Sequence, residues 1–161
     1  MKRFVLIVIL LFSSFLISAQ EIKRWKMNDL LEYIDQSDSA LVVNFWATFC
    51  GPCIEEIPYF QSISNQYKNQ KVKLLLVSLD FKEYYPQKIA AFAKRFGFTA
   101  EIVWLDEEKP DEFCPKIDSA WSGAMPATLF VNKANKHRKF IEAQIKPVEI
   151  EAAIKNLIGI K

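Results

Sequence analysis

The 161-residue chain predicts an α/β sandwich, with a parallel or mixed central sheet covered by helices, and three observations carry that prediction. Two nearly unbroken apolar runs, Leu41 to Ala47 and Val72 to Leu79, suit strands buried on both faces. Segments with apolar residues at helical spacing alternate with the strand segments. The C-terminal part closes with two short strands joined by a polar turn, then an amphipathic helix. A composition of 51% hydrophobic, 14% aromatic and 25% charged residues excludes a disordered chain. With no internal repeat, low-complexity tract or long linker, residues 20–161 form one domain, large enough to build a core without disulfide staples.

Residues 1–19 come first and stand apart. Lys2 and Arg3 precede a 14-residue apolar stretch, Phe4 to Ile17, broken only by Ser13 and Ser14, and Ser18-Ala19 closes it. This is the three-part layout of a secretory signal peptide, with cleavage expected after Ala19. The stretch is shorter than the roughly 20 residues needed to cross the hydrocarbon core. No cysteine follows Ala19 to carry a lipid. Export places the mature chain in a periplasm or cell envelope, where disulfides persist. Loss of Lys2 and Arg3 leaves 19 basic residues against 19 acidic. Such a balance gives no electrostatic reason to expect nucleic acid or an anionic membrane as partner.

In the mature chain Asn28 can cap a short helix carrying Leu30, Leu31 and Ile34, which the Asp35 to Ser39 cluster breaks. The strand Leu41 to Ala47 follows. Cys50 to about Lys68 reads as a helix through Ile54, Ile57, Phe60, Ile63 and Tyr67, with a kink expected at Pro58. After the strand Val72 to Leu79, a helix over Pro86 to Phe96 is stopped by Gly97, and Glu101 to Leu105 is a short strand. Asp106 to Asp118, acidic and holding Pro110 and Pro115, is expected to be loop with one helical turn. Ala127 to Val131 and Lys139 to Ala143 form an antiparallel hairpin around the turn Asn132 to Arg138, and Pro147 to Ile158 is the closing helix.

The chemistry sits in Cys50-Gly51-Pro52-Cys53, directly after a buried strand and opening a helix. The N–H groups at a helix start favour a thiolate, so Cys50 is expected below the free thiol value of about 8.5. Cys53, three residues on, lies on the same face at a separation a disulfide can span. Cys50 can then attack a substrate disulfide and Cys53 resolve the mixed disulfide. Two other uses of the pair stay open: half of a zinc site, for which only the scattered Cys114 and His137 remain as further ligands, and an inert structural bridge.

The run Asn44-Phe45-Trp46-Ala47-Thr48-Phe49-Cys50-Gly51-Pro52-Cys53, then Glu55-Glu56-Ile57-Pro58, and later Met125-Pro126-Ala127-Thr128, resembles the thioredoxin superfamily, and within it the TlpA/ResA-like exported branch. The resemblance covers essentially the whole mature chain. It implies a thioredoxin-like sandwich, a central mixed β-sheet flanked by helices, with a central insertion. The 76 residues from Cys50 to Pro126 leave room for that insertion, placed around Phe81 to Ile102. It further implies a cis Met125-Pro126 bond facing the cysteines, a Met125 backbone that pairs with extended substrate, and a Pro126 that keeps metal away from the sulfurs. Phe49, Gly51 and Pro52 complete the expected substrate-binding set, Phe49 replacing a tryptophan as an apolar lip.

Asn44 stands where thioredoxin has a buried aspartate, and it cannot relay a proton. The resemblance offers Glu56 instead, one helical turn beyond Cys53, as the catalytic carboxylate; a solvated first-turn role for Glu55 and Glu56 is the alternative. Trp46 is expected to pack, Trp121 to line the groove or anchor the core, Cys114 to be a buried or incidental thiol, and His137 to lie in a solvated basic turn. The implied activity is an exported thiol-disulfide oxidoreductase, a monomer without organic cofactor or metal, acting on protein thiols and disulfides. The Gly-Pro spacer resembles reducing members, thioredoxin lying near about −270 mV, so a reductase fed by a membrane-linked electron donor is expected, with cytochrome c biogenesis as a role the resemblance suggests. A general envelope stress reductase, a redox-inert peptide-binding module and a peroxidase relative are the alternatives.

Overall fold

A computed structural model describes residues 21–160 of the chain; the signal peptide expected over 1–19 lies outside the described residues. The elements in chain order are β1 (Lys23–Trp25), α1 (Met27–Gln36), β2 (Ala40–Trp46), α2 (Gly51–Gln66), β3 (Val72–Ser78), α3 (Gln87–Phe96), β4 (Glu101–Leu105), α4 (Pro110–Ile117), β5 (Ala127–Asn132), β6 (His137–Ile141) and α5 (Pro147–Ile158). The six strands form one sheet in the order β1-β4-β3-β2-β5-β6. β1, β4, β3 and β2 run parallel, whereas β5 pairs antiparallel with β2 and β6 antiparallel with β5. The mixed sheet expected from the two apolar runs is therefore present, and those runs occupy its centre.

Every residue of β2 is buried, and alternation divides its side chains between two layers. Leu41, Val43 and Phe45 enter a core shared with Met27, Leu30 and Ile34 of α1 and Phe113 and Ile117 of α4. Val42 faces the other layer with Phe60 of α2 and Ile150, Ile154 and Leu157 of α5, and Trp46 packs there with Ile57 of α2 and Ile89 and Ala93 of α3. Asn44 falls between Val42 and Trp46 on this second face, a polar side chain at the sheet centre opposite α2. α3 and the first two residues of β4 fall within Phe81 to Ile102, where the insertion is expected, and β4, which runs on to Leu105, wedges between β3 and β1.

Several local expectations are corrected. α1 starts one residue before Asn28, with Lys26 at the cap: the Lys26 N–H donates to Asp29 Oδ2 (2.7 Å) and the Met27 N–H to Glu107 Oε1 (2.8 Å). The segment expected as loop with one turn is the eight-residue α4, because Pro110 occupies a first-turn position that needs no N–H. α2 runs through Pro58 to Gln66, and the chain then turns through a short 3-10 segment, Lys68–Gln70. The hairpin turn is shorter than expected, so His137 is the first residue of β6, paired with Asn132, rather than the tip of a basic turn. β1 has no counterpart in the sequence reading.

Candidate active site

β2 ends at Trp46, and the link to α2 is held from the side by Asp80, just beyond β3. Its carboxylate accepts from the Thr48 N–H (3.1 Å), the Thr48 hydroxyl (2.5 Å) and the Ser78 hydroxyl (2.8 Å), while its carbonyl accepts from Trp104 Nε1 (2.8 Å). The Leu79 N–H donates to Trp46 O (2.8 Å), tying the two strand ends together. So fixed, Cys50 becomes the N-cap residue of α2, with extended φ of −94° and ψ of 97°. Its N–H donates to Ala47 O (3.0 Å), and its carbonyl accepts the Ile54 N–H (3.1 Å), the first bond of the helix. Gly51 and Pro52 fill the first helical positions, where the missing N–H of proline costs nothing.

Cys50 and Cys53 are joined by a disulfide, with Cα atoms 5.3 Å apart. Cys50 retains 9% exposure and Cys53 none. A reagent from solvent therefore meets Cys50 first. The Met125-Pro126 bond is cis, as the resemblance implies. Pro126 is buried, and half-buried Met125 packs against the cluster that holds Cys50, Cys53, Trp46 and Ile57. Trp121 anchors the core: it is buried against Phe45, Phe113 and Phe140, and its Nε1 donates to Ala124 O (3.0 Å). Trp46 is fully buried between Phe92 and Phe98, a packing role.

Glu56 is not a solvated first-turn residue. Only 1% exposed, it points from α2 to the sheet, where Asn44 Nδ2 donates to its Oε1 (2.8 Å) and the Ile145 N–H to its Oε2 (2.8 Å). The same Asn44 nitrogen reaches Thr128 Oγ1 (3.0 Å) on β5, the residue opposite Asn44 in the ladder. Burial pushes the Glu56 carboxyl up to about 7, against the two donated hydrogen bonds. Such a group takes and gives a proton near neutrality. Neighbouring Glu55 stays at the surface, accepting from Gln144 Nε2 (3.0 Å), which also donates to Pro52 O (3.2 Å). A cleft of about 470 Å³ lined by Glu55, Glu56, Tyr59, Gln144 and Ile145 opens beside the acid.

Phe49 stands 52% exposed and stacks on Phe81, itself 61% exposed, with ring centroids 5.2 Å apart. Tyr84 meets Phe81 edge-on. Phe81 also borders a cleft of about 320 Å³ whose other walls include Trp104, Phe113, Gly123 and Met125. Phe49, expected as an apolar lip, is exposed, whereas Phe81, Asp80 and Thr128 are not singled out from the sequence, and the fold brings them to Phe49, Thr48 and Asn44 respectively. Cys114 is buried and free, and burial pushes its thiol up to about 11, with Glu142 and Asp111 acting the same way.

A mixed sheet with a helix-capping dithiol across from a cis-proline defines a thioredoxin-like protein. Residues 12–140 match the AhpC/TSA family, and the chain belongs to it. The chain is similar to a protein named thiol-disulfide oxidoreductase ResA from Geobacillus thermodenitrificans, with 28% identity over 123 residues; the match covers 76% of this chain and 66% of the relative, just under two thirds of its length. Its fold is similar to that of StoA from Bacillus subtilis, with a TM-score of 0.58, 22% identity, and coverage of 75% of this chain and 86% of that one. It is also similar to a thiol:disulfide interchange protein of the thioredoxin family from Chlorobium tepidum, with a TM-score of 0.63, 16% identity, and coverage of 79% and 85%.

Proposed function

We propose that the protein is a thiol-disulfide oxidoreductase that reduces protein disulfides through Cys50 and Cys53. The observation that carries this reading is the bridge between a helix-capping Cys50 that keeps 9% exposure and a fully buried Cys53, one turn before a buried carboxylate. In the reduced protein the Cys50 thiolate attacks one sulfur of a substrate disulfide. The substrate S–S bond breaks, one substrate sulfur leaves as a thiolate, and a mixed disulfide with Cys50 forms. Cys53 then gives its proton to Glu56, attacks Cys50 Sγ, and releases the second substrate sulfur as a thiolate that takes up a proton. The first substrate thiolate likewise takes up a proton, one of the two coming from Cys53 by way of Glu56 and the other from solvent, so the substrate has gained two electrons and two protons and the protein holds the Cys50–Cys53 bridge. Phe49, Gly51, Pro52 and the Met125-Pro126 edge receive the substrate chain, and no metal or organic cofactor enters any step.

Export by the N-terminal leader rests on the three-part layout of residues 1–19. A membrane-linked electron donor would then reset the dithiol. Reduction of an apocytochrome c disulfide to its two thiols is one role for such a reductase, and general reduction of disulfides in envelope proteins is another. We further propose that the protein acts as a monomer.

The test is a Cys53→Ala variant expressed in cells, with trapped mixed disulfides isolated and the captured proteins identified. Stable adducts through Cys50 to envelope proteins, together with insulin reduction by the wild-type protein, are expected. A wild-type protein whose dithiol and bridge do not interconvert at any accessible potential would show a redox-inert module and refute the assignment.

A further inference from the structure

The loop from Ser122 to Met125, which delivers the chain to cis-Pro126, is held by one carboxylate and one indole. Glu142, just past the end of β6, accepts hydrogen bonds from the Ser122 N–H (3.0 Å), the Ser122 hydroxyl (2.5 Å) and the Ala124 N–H (2.9 Å). Those contacts hold the Glu142 carboxyl below the usual carboxylate range, the Ser122 hydroxyl foremost. Between the two anchored amides Gly123 adopts φ +94°, a conformation that a side chain would strain, and an added Cβ would sit 3.5 Å from Pro110 Cβ. From the other side Trp121 Nε1 takes up the Ala124 carbonyl.

Both backbone groups of Ala124 are thus occupied. The next residue is different: among the described residues, no hydrogen bond engages the N–H or C=O of Met125. A half-buried backbone donor and acceptor without partners, beside the disulfide cluster, is an open edge of the kind on which an extended chain pairs. Its direction is set by the residue before it, and that residue is held by Glu142 on its N–H and by Trp121 on its carbonyl.

We propose that Glu142 is a positioning residue for substrate: by locking Ser122 to Ala124 it presents the Met125 N–H and C=O to an extended polypeptide bearing the disulfide. This deepens the oxidoreductase reading and rests on it. A polypeptide that pairs with the Met125 backbone depends on Glu142, whereas a small disulfide that meets only Cys50 does not.

The experiment measures steady-state reduction of insulin and of dithiobis(nitrobenzoate) by the wild-type protein and by Glu142→Ala and Ser122→Ala, with the Cys50–Cys53 potential and amide hydrogen exchange over residues 121–126 recorded for each. For Glu142→Ala the KM for insulin is expected to rise about tenfold, with kcat little changed, as preorganisation of the pairing edge is lost. Turnover of the small disulfide and the potential stay at the wild-type values, and exchange within the loop accelerates. Ser122→Ala, which removes one donor, shifts the insulin KM in the same direction by less and carries the test should Glu142→Ala not fold. An unchanged insulin KM, equal losses on both disulfides, or a shifted potential would overturn the role of Glu142. A wild-type protein that reduces neither disulfide would instead overturn the oxidoreductase reading itself.

Discussion

Replacing Glu56 with Gln tests the buried acid most directly, because the consequence can be worked from its surroundings. In the folded chain the carboxyl ionises at about 7 instead of the ordinary 4.5, which makes its ionisation about 3 kcal/mol more costly there than in the unfolded chain. The folded protein therefore keeps a proton that the unfolded chain has released. Stability falls as pH rises from about 4.5 to about 7 and levels off above that. A glutamine side chain carries no charge, so this slope disappears in Glu56→Gln. The Ile145 N–H keeps an acceptor, and rotation of the Asn44 amide would turn Oδ1, which lacks a partner, toward the new amide N–H and the Thr128 hydroxyl. Urea unfolding of the oxidised proteins, followed by tryptophan fluorescence, should show the variant gaining about 3 kcal/mol on the wild type between about pH 4 and about pH 8. Groups common to both proteins cancel in that difference. A difference independent of pH would refute the claim that burial makes the Glu56 carboxylate costly in the folded chain. In the same variant, release of substrate from the mixed disulfide should slow about a hundredfold near pH 7 if Glu56 takes the Cys53 proton.

Three further outcomes follow from the site. Asp80→Ala leaves the Thr48 N–H, Thr48 hydroxyl and Ser78 hydroxyl without their acceptor, and should cost about 3 kcal/mol in denaturant unfolding; a loss within error of zero would show that the loop before Cys50 holds itself. Phe81→Ser removes an exposed ring stacked on Phe49, so it should change stability by no more than about 0.5 kcal/mol while raising the KM for insulin, and an unaltered KM would remove Phe81 from the substrate surface. Cys114, buried with its thiol pushed up to about 11, should resist iodoacetamide at pH 8 in the folded protein and react once urea unfolds it; rapid labelling of the native chain would contradict its burial.

The parts of the fold that the sequence made legible are those where one residue pattern answers to one environment. β2 and β3 are apolar with little interruption because both faces are covered, and α5 begins at Pro147 and ends before Gly159 because those residues suit only the two ends of a helix. β1 was illegible for the opposite reason. Lys23, Arg24 and Trp25 carry no strand pattern, and what places them beside β4 is distant: Arg24 and Lys26 close on Asp106 at 2.5 and 2.9 Å, and the Asp106 N–H donates to Trp25 O. α4 hid behind its two prolines, although one stands in the first turn and the other near the last. The cysteine pair and the proline opposite it were legible from motif and resemblance. The resemblance also singled out Glu56 over Glu55, but the residue pattern alone did not, since both lie about one turn from the cysteines and it is the docking of α2 on Asn44 that puts Glu56 inside.

That separation assigns different work to carboxylates of one chemical type. Asp80 and Glu142 each face three donors, two from loop backbone or hydroxyl groups on one residue and one from a neighbour. An ionised carboxylate is the side chain best able to satisfy such a set, and neither loop has ladder partners to satisfy it otherwise. Glu56 faces only two donors, and its burial shuts out the solvent that could make up the rest. Two donors orient the carboxylate without fully offsetting its lost hydration, which is why burial still raises its pKa to about 7. An oriented carboxylate and a proton exchangeable near neutrality are the two properties that the proposed role as base for Cys53 requires, and an amide at Asn44 is compatible with both. An aspartate there would set two carboxylates side by side, forcing one to remain protonated and moving the other away from neutrality.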